Sequence, residues 1–137
     1  MNPMEEIQKL LLHHNIKPSY TRMLIFHYLR DNQIHPTVDD IYQALSEDLP
    51  TLSKTTVYNT LKLFIDHHLV REISLKEQKR YDLITAPHAH FKCDRCDQLF
   101  DIETVPPKLS AKYEDKFVVR DTQLLYHGVC QKCQQTT

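Results

Sequence analysis

Two spacings of apolar residues run along the chain, and one gives way to the other near Leu69. Before that point apolar positions recur at helical intervals. Ile7, Leu10 and Leu11 make one stripe, and Leu24, Ile25, Tyr28 and Leu29 make another, with Lys17-Pro18-Ser19 as the break between them. Thr37-Val38-Asp39-Asp40 has the form of a capping box with Asp in place of the usual Glu. Val38, Ile41, Tyr42 and Leu45 follow on one face, and Leu49-Pro50-Thr51-Leu52 ends that element. Ser53 then caps a fourth helix whose buried stripe is expected to be Val57, Leu61, Phe64 and Ile65. Thr55, Asn59 and Lys62 fall on its opposite face, with Tyr58 at the edge.

From Leu69 the interval becomes two. Residues 69–75 and 78–83 are expected strands joined by Lys76-Glu77, and helices followed by such a hairpin make a winged helix-turn-helix. Ile84-Thr85-Ala86-Pro87 has the composition of a short hinge. Beyond it, residues 89–93, 99–103 and 117–126 are expected strands, with a short helix after Pro106-Pro107. The expected fold class is α+β: a winged helix-turn-helix domain over residues 1–83 and a small α/β domain over residues 84–137.

The 137 residues fit one ordinary domain or two small ones, each of the latter marginal without a staple. A net charge of -1 says nothing about partners, but its distribution is uneven. Residues 53–80 hold six basic side chains (Lys54, Lys62, Arg71, Lys76, Lys79, Arg80) against three acidic ones (Asp66, Glu72, Glu77), a modest lean toward a polyanion. Residues 1–15 do not read as a signal peptide, because Glu5 and Glu6 precede only a brief apolar run. No stretch approaches the length that spans a bilayer. A cytoplasmic protein without a membrane partner is expected, and there paired thiols mean metal more often than disulfide.

Chemistry concentrates in His88-Ala89-His90-Phe91-Lys92-Cys93-Asp94-Arg95-Cys96 and in Cys130-Gln131-Lys132-Cys133. Two Cys-x-x-Cys pairs can close a tetrahedral four-sulfur cage, which zinc favours, and a cage with no open position holds structure rather than catalysing. The competing reading, a redox dithiol, expects one exposed pair in a βαβ unit. Asp97 stands where the turn after such a pair commonly has glycine, so Asp must supply any positive φ there.

His88 and His90 point to one side of an extended backbone. Singly, each reads as a surface or hydrogen-bonded histidine; as a pair they read equally as ligands. Asp82, Asp101 and His35 are possible partners, and three imidazoles with two carboxylates suit Fe(II) or Mn(II) better than a thiophilic ion. His13-His14 and His67-His68 read as helix-end residues and His27 as a core histidine, while His127 stays open.

Ser53 to Thr60 form a short, polar, capped start to the fourth helix, as the leading turns of a major-groove helix often are. Lys54, Thr55, Tyr58, Asn59 and Lys62 are its candidate DNA contacts; Asn can read adenine bidentately. A plain solvated helix face is the competing reading. Lys76, Lys79 and Arg80 of the wing favour phosphate contact.

Taken in order, His35-Pro36-Thr37-Val38-Asp39-Asp40-Ile41-Tyr42, Thr55-Thr56-Val57-Tyr58-Asn59-Thr60-Leu61, Arg80-Tyr81-Asp82, His88-Ala89-His90 and the two Cys-x-x-Cys pairs resemble the ferric uptake regulator family over nearly the whole chain. The resemblance implies a homodimeric, metal-dependent repressor, not an enzyme, with a DNA-binding winged helix followed by a dimerisation domain. It places structural zinc on Cys93, Cys96, Cys130 and Cys133 and a regulatory Fe(II) or Mn(II) on His35, Asp82, His88, His90 and Asp101. Iron-uptake members usually have Glu at the two carboxylate positions; Asp at both resembles the peroxide-responsive (PerR-like) branch. Pro87 and Ala89 replace the ligands of an additional dimerisation-domain site, whose absence is expected. The implied partner is a double-stranded A/T-rich palindrome. An iron- or manganese-responsive repressor is the alternative within the family. Outside it, a zinc-ribbon interaction module remains, whereas a zinc deaminase needs His-x-Glu and Pro-Cys-x-x-Cys, and the chain has Ala89-His90 and Lys92-Cys93 instead.

Overall fold

The computed structural model describes residues 2–75, 78–84, 89–119 and 122–135. The chain forms two compact units, Met1–Ile84 and Thr85–Thr137.

In the first unit, helices α1 (Pro3–His13), α2 (Tyr20–Asp31), α3 (Val38–Leu45) and α4 (Lys54–Asp66) precede an antiparallel hairpin of β1 (Val70–Ser74) and β2 (Lys79–Leu83). Each helix starts at a side chain that accepts from an otherwise unsatisfied backbone N–H: Asn2, Ser19, Thr37 and Ser53. The capping box read in the sequence is present, with Asp40 N donating to Thr37 Oγ1 and Thr37 N to Asp40 Oδ2. One core collects Ile7 and Leu11 of α1, Ile25, Phe26 and Leu29 of α2, Ile41 of α3, Val57, Leu61 and Phe64 of α4, and Val70 and Tyr81 of the hairpin. Phe26 and Phe64 meet edge to face with centroids 5.8 Å apart. The architecture is a winged helix-turn-helix.

Two expectations are corrected in this unit. Ile65, expected in the buried row of α4, borders the core rather than filling it. His27 is half-exposed and pairs with Asp31 one turn later at 3.1 Å, so it is not a core histidine.

In the second unit, β3 (Ala89–Cys93) is central, with β4 (Leu99–Ile102) antiparallel on one side and β5 (Leu125–Gly128) parallel on the other. Single-turn helices α5 (Ala111–Glu114) and α6 (Gln131–Gln134) complete it. The expected strand over residues 117–126 is corrected: residues 117–119 and 122–124 are irregular, and pairing begins only at Leu125. Among described apolar residues of this unit only Ala89 and Cys93 are buried, a core too thin to hold by burial alone.

Candidate metal centres and recognition helix

Cys93 closes β3 and Cys96 lies in the turn that follows, while Cys130 precedes α6 and Cys133 lies within it. The turn is a knuckle held by Asp97 N donating to Cys93 O and Cys93 N to Gln98 O, both at 3.0 Å. Asp97 adopts φ 60°, the left-handed conformation that the lack of glycine demanded of it. Asp94 N donates to Gly128 O at 2.7 Å, which fastens the knuckle to β5, and Arg95 Nη1 donates to Cys133 O at 3.2 Å.

No disulfide joins the four cysteines, and one sulfur from each lies within 4.8 Å of all the others. Cys96 Sγ and Cys130 Sγ stand 3.9 Å apart. Tetrahedral zinc with bonds of about 2.3 Å needs sulfurs roughly 3.8 Å apart, so the set fits zinc. The donor chemistry agrees. The N–H groups of Cys130 and Cys96 point at Cys93 Sγ and hold its pKa down to about 6, against the opposing effect of burial. Hydrogen bonding to the Cys130 side chain, then burial, pushes Cys133 up to about 12. Four thiols crowded this closely cannot all ionise without a cation among them.

The imidazole and carboxylate candidates form two pairs, one in each unit. In the first, His35 Nε2 lies 3.9 Å from Asp82 Oδ2, and both residues are buried. The sequence brings them together through the wing: Tyr81 N donates to Pro36 O at 3.0 Å and Arg80 Nη1 to His35 O at 3.3 Å, so the segment before α3 lies alongside β2. His35 has φ 57°, a conformation that costs a non-glycine residue on the order of 1–2 kcal/mol. In the second unit, His90 Nε2 lies 3.3 Å from Asp101 Oδ1, with the imidazole buried and the carboxylate exposed. Each pair offers one imidazole nitrogen and one carboxylate oxygen, donor types that suit Fe(II) or Mn(II). His88 lies outside the described residues.

On α4, Lys54, Thr55, Tyr58, Asn59 and Lys62 are all exposed. Lys54 Nζ sits 2.9 Å from Asp39 and above the Tyr42 ring, and Lys79 Nζ sits 3.1 Å from Glu72. Arg80 is half-buried because it serves His35 O, and Lys76 lies outside the described residues. His67 Nδ1 donates to His14 O at 2.8 Å, joining the C-terminal ends of α4 and α1. His127 Nδ1 stands 3.8 Å from Asp94 Oδ1, both exposed. Sequence reasoning missed Pro36, Tyr81 and Arg80 as the residues that seat His35; only the adjacency of Pro36 to His35 hinted at it.

Fold and site together define a winged-helix regulator whose second unit carries a structural thiolate metal site. The model of the ferric uptake regulator family matches residues 13–112, and the chain belongs to that family. It is 34% identical to the peroxide-responsive repressor PerR of Staphylococcus aureus (strain Mu50) over 96% of this chain and 91% of the relative. A solved structure of PerR from Streptococcus pyogenes, described as a basis for peroxide sensing and gene regulation, is 25% identical with a TM-score of 0.55, covering 98% of this chain and 95% of that one. The Helicobacter pylori ferric uptake regulator shares the fold at a TM-score of 0.71 and 18% identity, over 97% and 95% of the two chains. No helix among the described residues is long and apolar enough to cross a membrane.

Proposed function

We propose that this protein is a cytoplasmic, homodimeric, metal-dependent transcriptional repressor, without enzymatic turnover, that binds A/T-rich palindromic operators and senses peroxide. The observation that carries the reading is the two imidazole–carboxylate pairs, His35 with Asp82 in one unit and His90 with Asp101 in the other. His88 adds a fifth donor, on the family motif. An Fe(II) or Mn(II) ion held by all five joins the units and fixes the angle between them. In a twofold dimer that angle sets the distance between the two α4 helices, which must match half-sites roughly 34 Å apart or a multiple of it. The ion acts only through its preference for the joined form; a shift from mostly open to mostly closed needs roughly 5 kcal/mol.

Lys54, Thr55, Tyr58, Asn59 and Lys62 meet the major groove, and Lys76, Lys79 and Arg80 the backbone beside it. Exposed Val105, Phe117 and Val118 support a dimer contact on the second unit. Asp at both carboxylate positions and the similarity to PerR support peroxide sensing. Fe(II), when bound, would activate peroxide; in the balanced step one peroxide oxygen leaves as water, the other replaces hydrogen on an imidazole carbon, and the ring supplies the two electrons. His35 and His88 are the imidazoles in line to gain oxygen, and a histidine so altered gives up its place as a ligand, which frees the DNA.

The test is a gel shift on an A/T-rich inverted repeat with protein loaded anaerobically with Fe(II) or Mn(II), followed by peroxide and peptide mass analysis. DNA release with oxygen added to a histidine is expected for Fe(II) alone. Release only on chelation, with no added oxygen, reduces the reading to an iron- or manganese-responsive repressor. Metal-independent binding overturns it.

A further inference from the structure

Arg80 and Asp82 stand two apart on β2, so their side chains leave the same face of the strand, and both meet the same residue. Asp82 Oδ2 lies 3.9 Å from His35 Nε2, while Arg80 Nη1 donates to the His35 carbonyl at 3.3 Å. We infer that Arg80 is a positioning residue for the regulatory metal: it holds the His35 peptide in its left-handed conformation before any ion arrives, so that the imidazole already stands beside Asp82 when the ion binds. The inference rests on the metal-site reading above and deepens it, and it concerns the free protein rather than any contact with DNA.

Two unfavourable features point to this role. His35 has φ 57°, a region that a residue with a Cβ keeps only where its surroundings hold it there. Tyr81 N, donating to Pro36 O at 3.0 Å, fastens the next residue, and Arg80 fastens His35 itself. A charged donor makes a hydrogen bond roughly twice as strong as a neutral one, which suits a guanidinium to holding strained backbone. The second feature belongs to Arg80. The side chain is half-buried, and among the described residues its Nε is buried with no hydrogen-bond partner. Burying an unsatisfied N–H opposes folding. If packing were the only demand, methionine would fill the same length of space with no N–H to strand. Lys79, the neighbouring cation, is exposed and paired with Glu72, so Arg80 is not merely the next surface charge of the wing. A ligand ordered in advance moves the cost of ordering from metal binding to folding, and the affinity for the ion rises accordingly.

The experiment titrates Mn(II) calorimetrically into the zinc-loaded, full-length protein and into its Arg80→Met and Arg80→Lys variants, and melts each of them before Mn(II) is added. Arg80→Met is expected to bind Mn(II) about tenfold more weakly, as when a group that orients a metal ligand is removed. Its zinc content stays at the wild-type level and its melting midpoint without Mn(II) does not fall, because relief of the strained turn and of the stranded Nε offsets loss of the bond. Arg80→Lys keeps a cationic donor and recovers most of the affinity. A lower midpoint in Arg80→Met overturns the inference, because it makes Arg80 a structural residue. Mn(II) affinity in Arg80→Met within about twofold of wild type overturns it too, as does an Arg80→Lys protein that binds as weakly as Arg80→Met. Wild-type protein that takes up no Mn(II) beyond its zinc refutes the regulatory site itself, and the role of Arg80 with it, which is a distinct result.

Discussion

His90 and Asp101 are register partners across β3 and β4, and the Nε2 of one lies 3.3 Å from the Oδ1 of the other. Opposed residues on paired strands share a sheet face, so strand register, rather than a loop, brings the carboxylate to the imidazole. Replacing either with alanine is expected to lower Mn(II) affinity more than about 100-fold and to leave zinc content unchanged. Titration calorimetry with elemental analysis measures both. Mn(II) affinity within threefold of wild type in both variants would reject these residues as ligands.

The zinc site should lose its ion with a specific pH profile. Cys93 has its pKa lowered to about 6, so above that value it meets zinc already as thiolate, and below it a proton must leave first. The plot of log zinc affinity against pH should therefore steepen by one proton as the pH falls through about 6. The same sign applies to the metal-free protein: the stability contributed by this lowered pKa is whole above the usual 9.0, shrinks as the pH falls, and is gone below about 6. Competition with a chromophoric chelator between these limits gives the slope.

The positive φ of His35 yields a prediction that side-chain loss alone does not. His35→Gly and His35→Ala both remove the imidazole, but alanine keeps the strain of φ 57° and glycine relieves it. In metal-free urea melts the glycine variant should be more stable than the alanine variant by about 1 kcal/mol. Equal midpoints would mean that the backbone there is not held in the left-handed region.

Gly128 is needed for room rather than for its dihedral. A methyl group at that position would lie 3.3 Å from Phe91 Cζ, inside ordinary contact distance. Gly128→Ala should cost roughly 1 kcal/mol in the zinc-loaded protein, and adding Phe91→Leu should recover part of it. Additive losses in the double variant would show that the two positions are not in contact.

What could be read from the sequence was what short-range chemistry decides. The Thr37–Asp40 box, the Ser53 cap, the buried row Val57-Leu61-Phe64 and the change to strands near Leu69 depend on neighbours a few residues away. The meeting of the four thiols was equally legible, because Cys-x-x-Cys spacing already encodes a knuckle. The expected strand over residues 117–126 failed for the opposite reason. Phe117, Val118 and Val119 have strand composition, but that preference measures fit to a half-buried pleated surface, and they are exposed at 61%, 84% and 53%. Leu125 becomes a strand residue because His90 stands beside it. His27 was misread because helix hydrophobicity was taken as a proxy for the side on which one residue falls. The left-handed turn at His35 and the tie of Pro36 to Tyr81 had no local sign, since the bond comes from a wing more than forty residues downstream.

Cys93 and His90 are three residues apart on one strand, so their side chains leave opposite faces of the same ribbon. A thiolate staple at the end of β3 would thus also set the register that brings His90 opposite Asp101. On the proposed reading, a cell short of zinc would forfeit more than a brace: with the knuckle slack, His90 and Asp101 would lose their register, and the protein would go deaf to iron or manganese however plentiful.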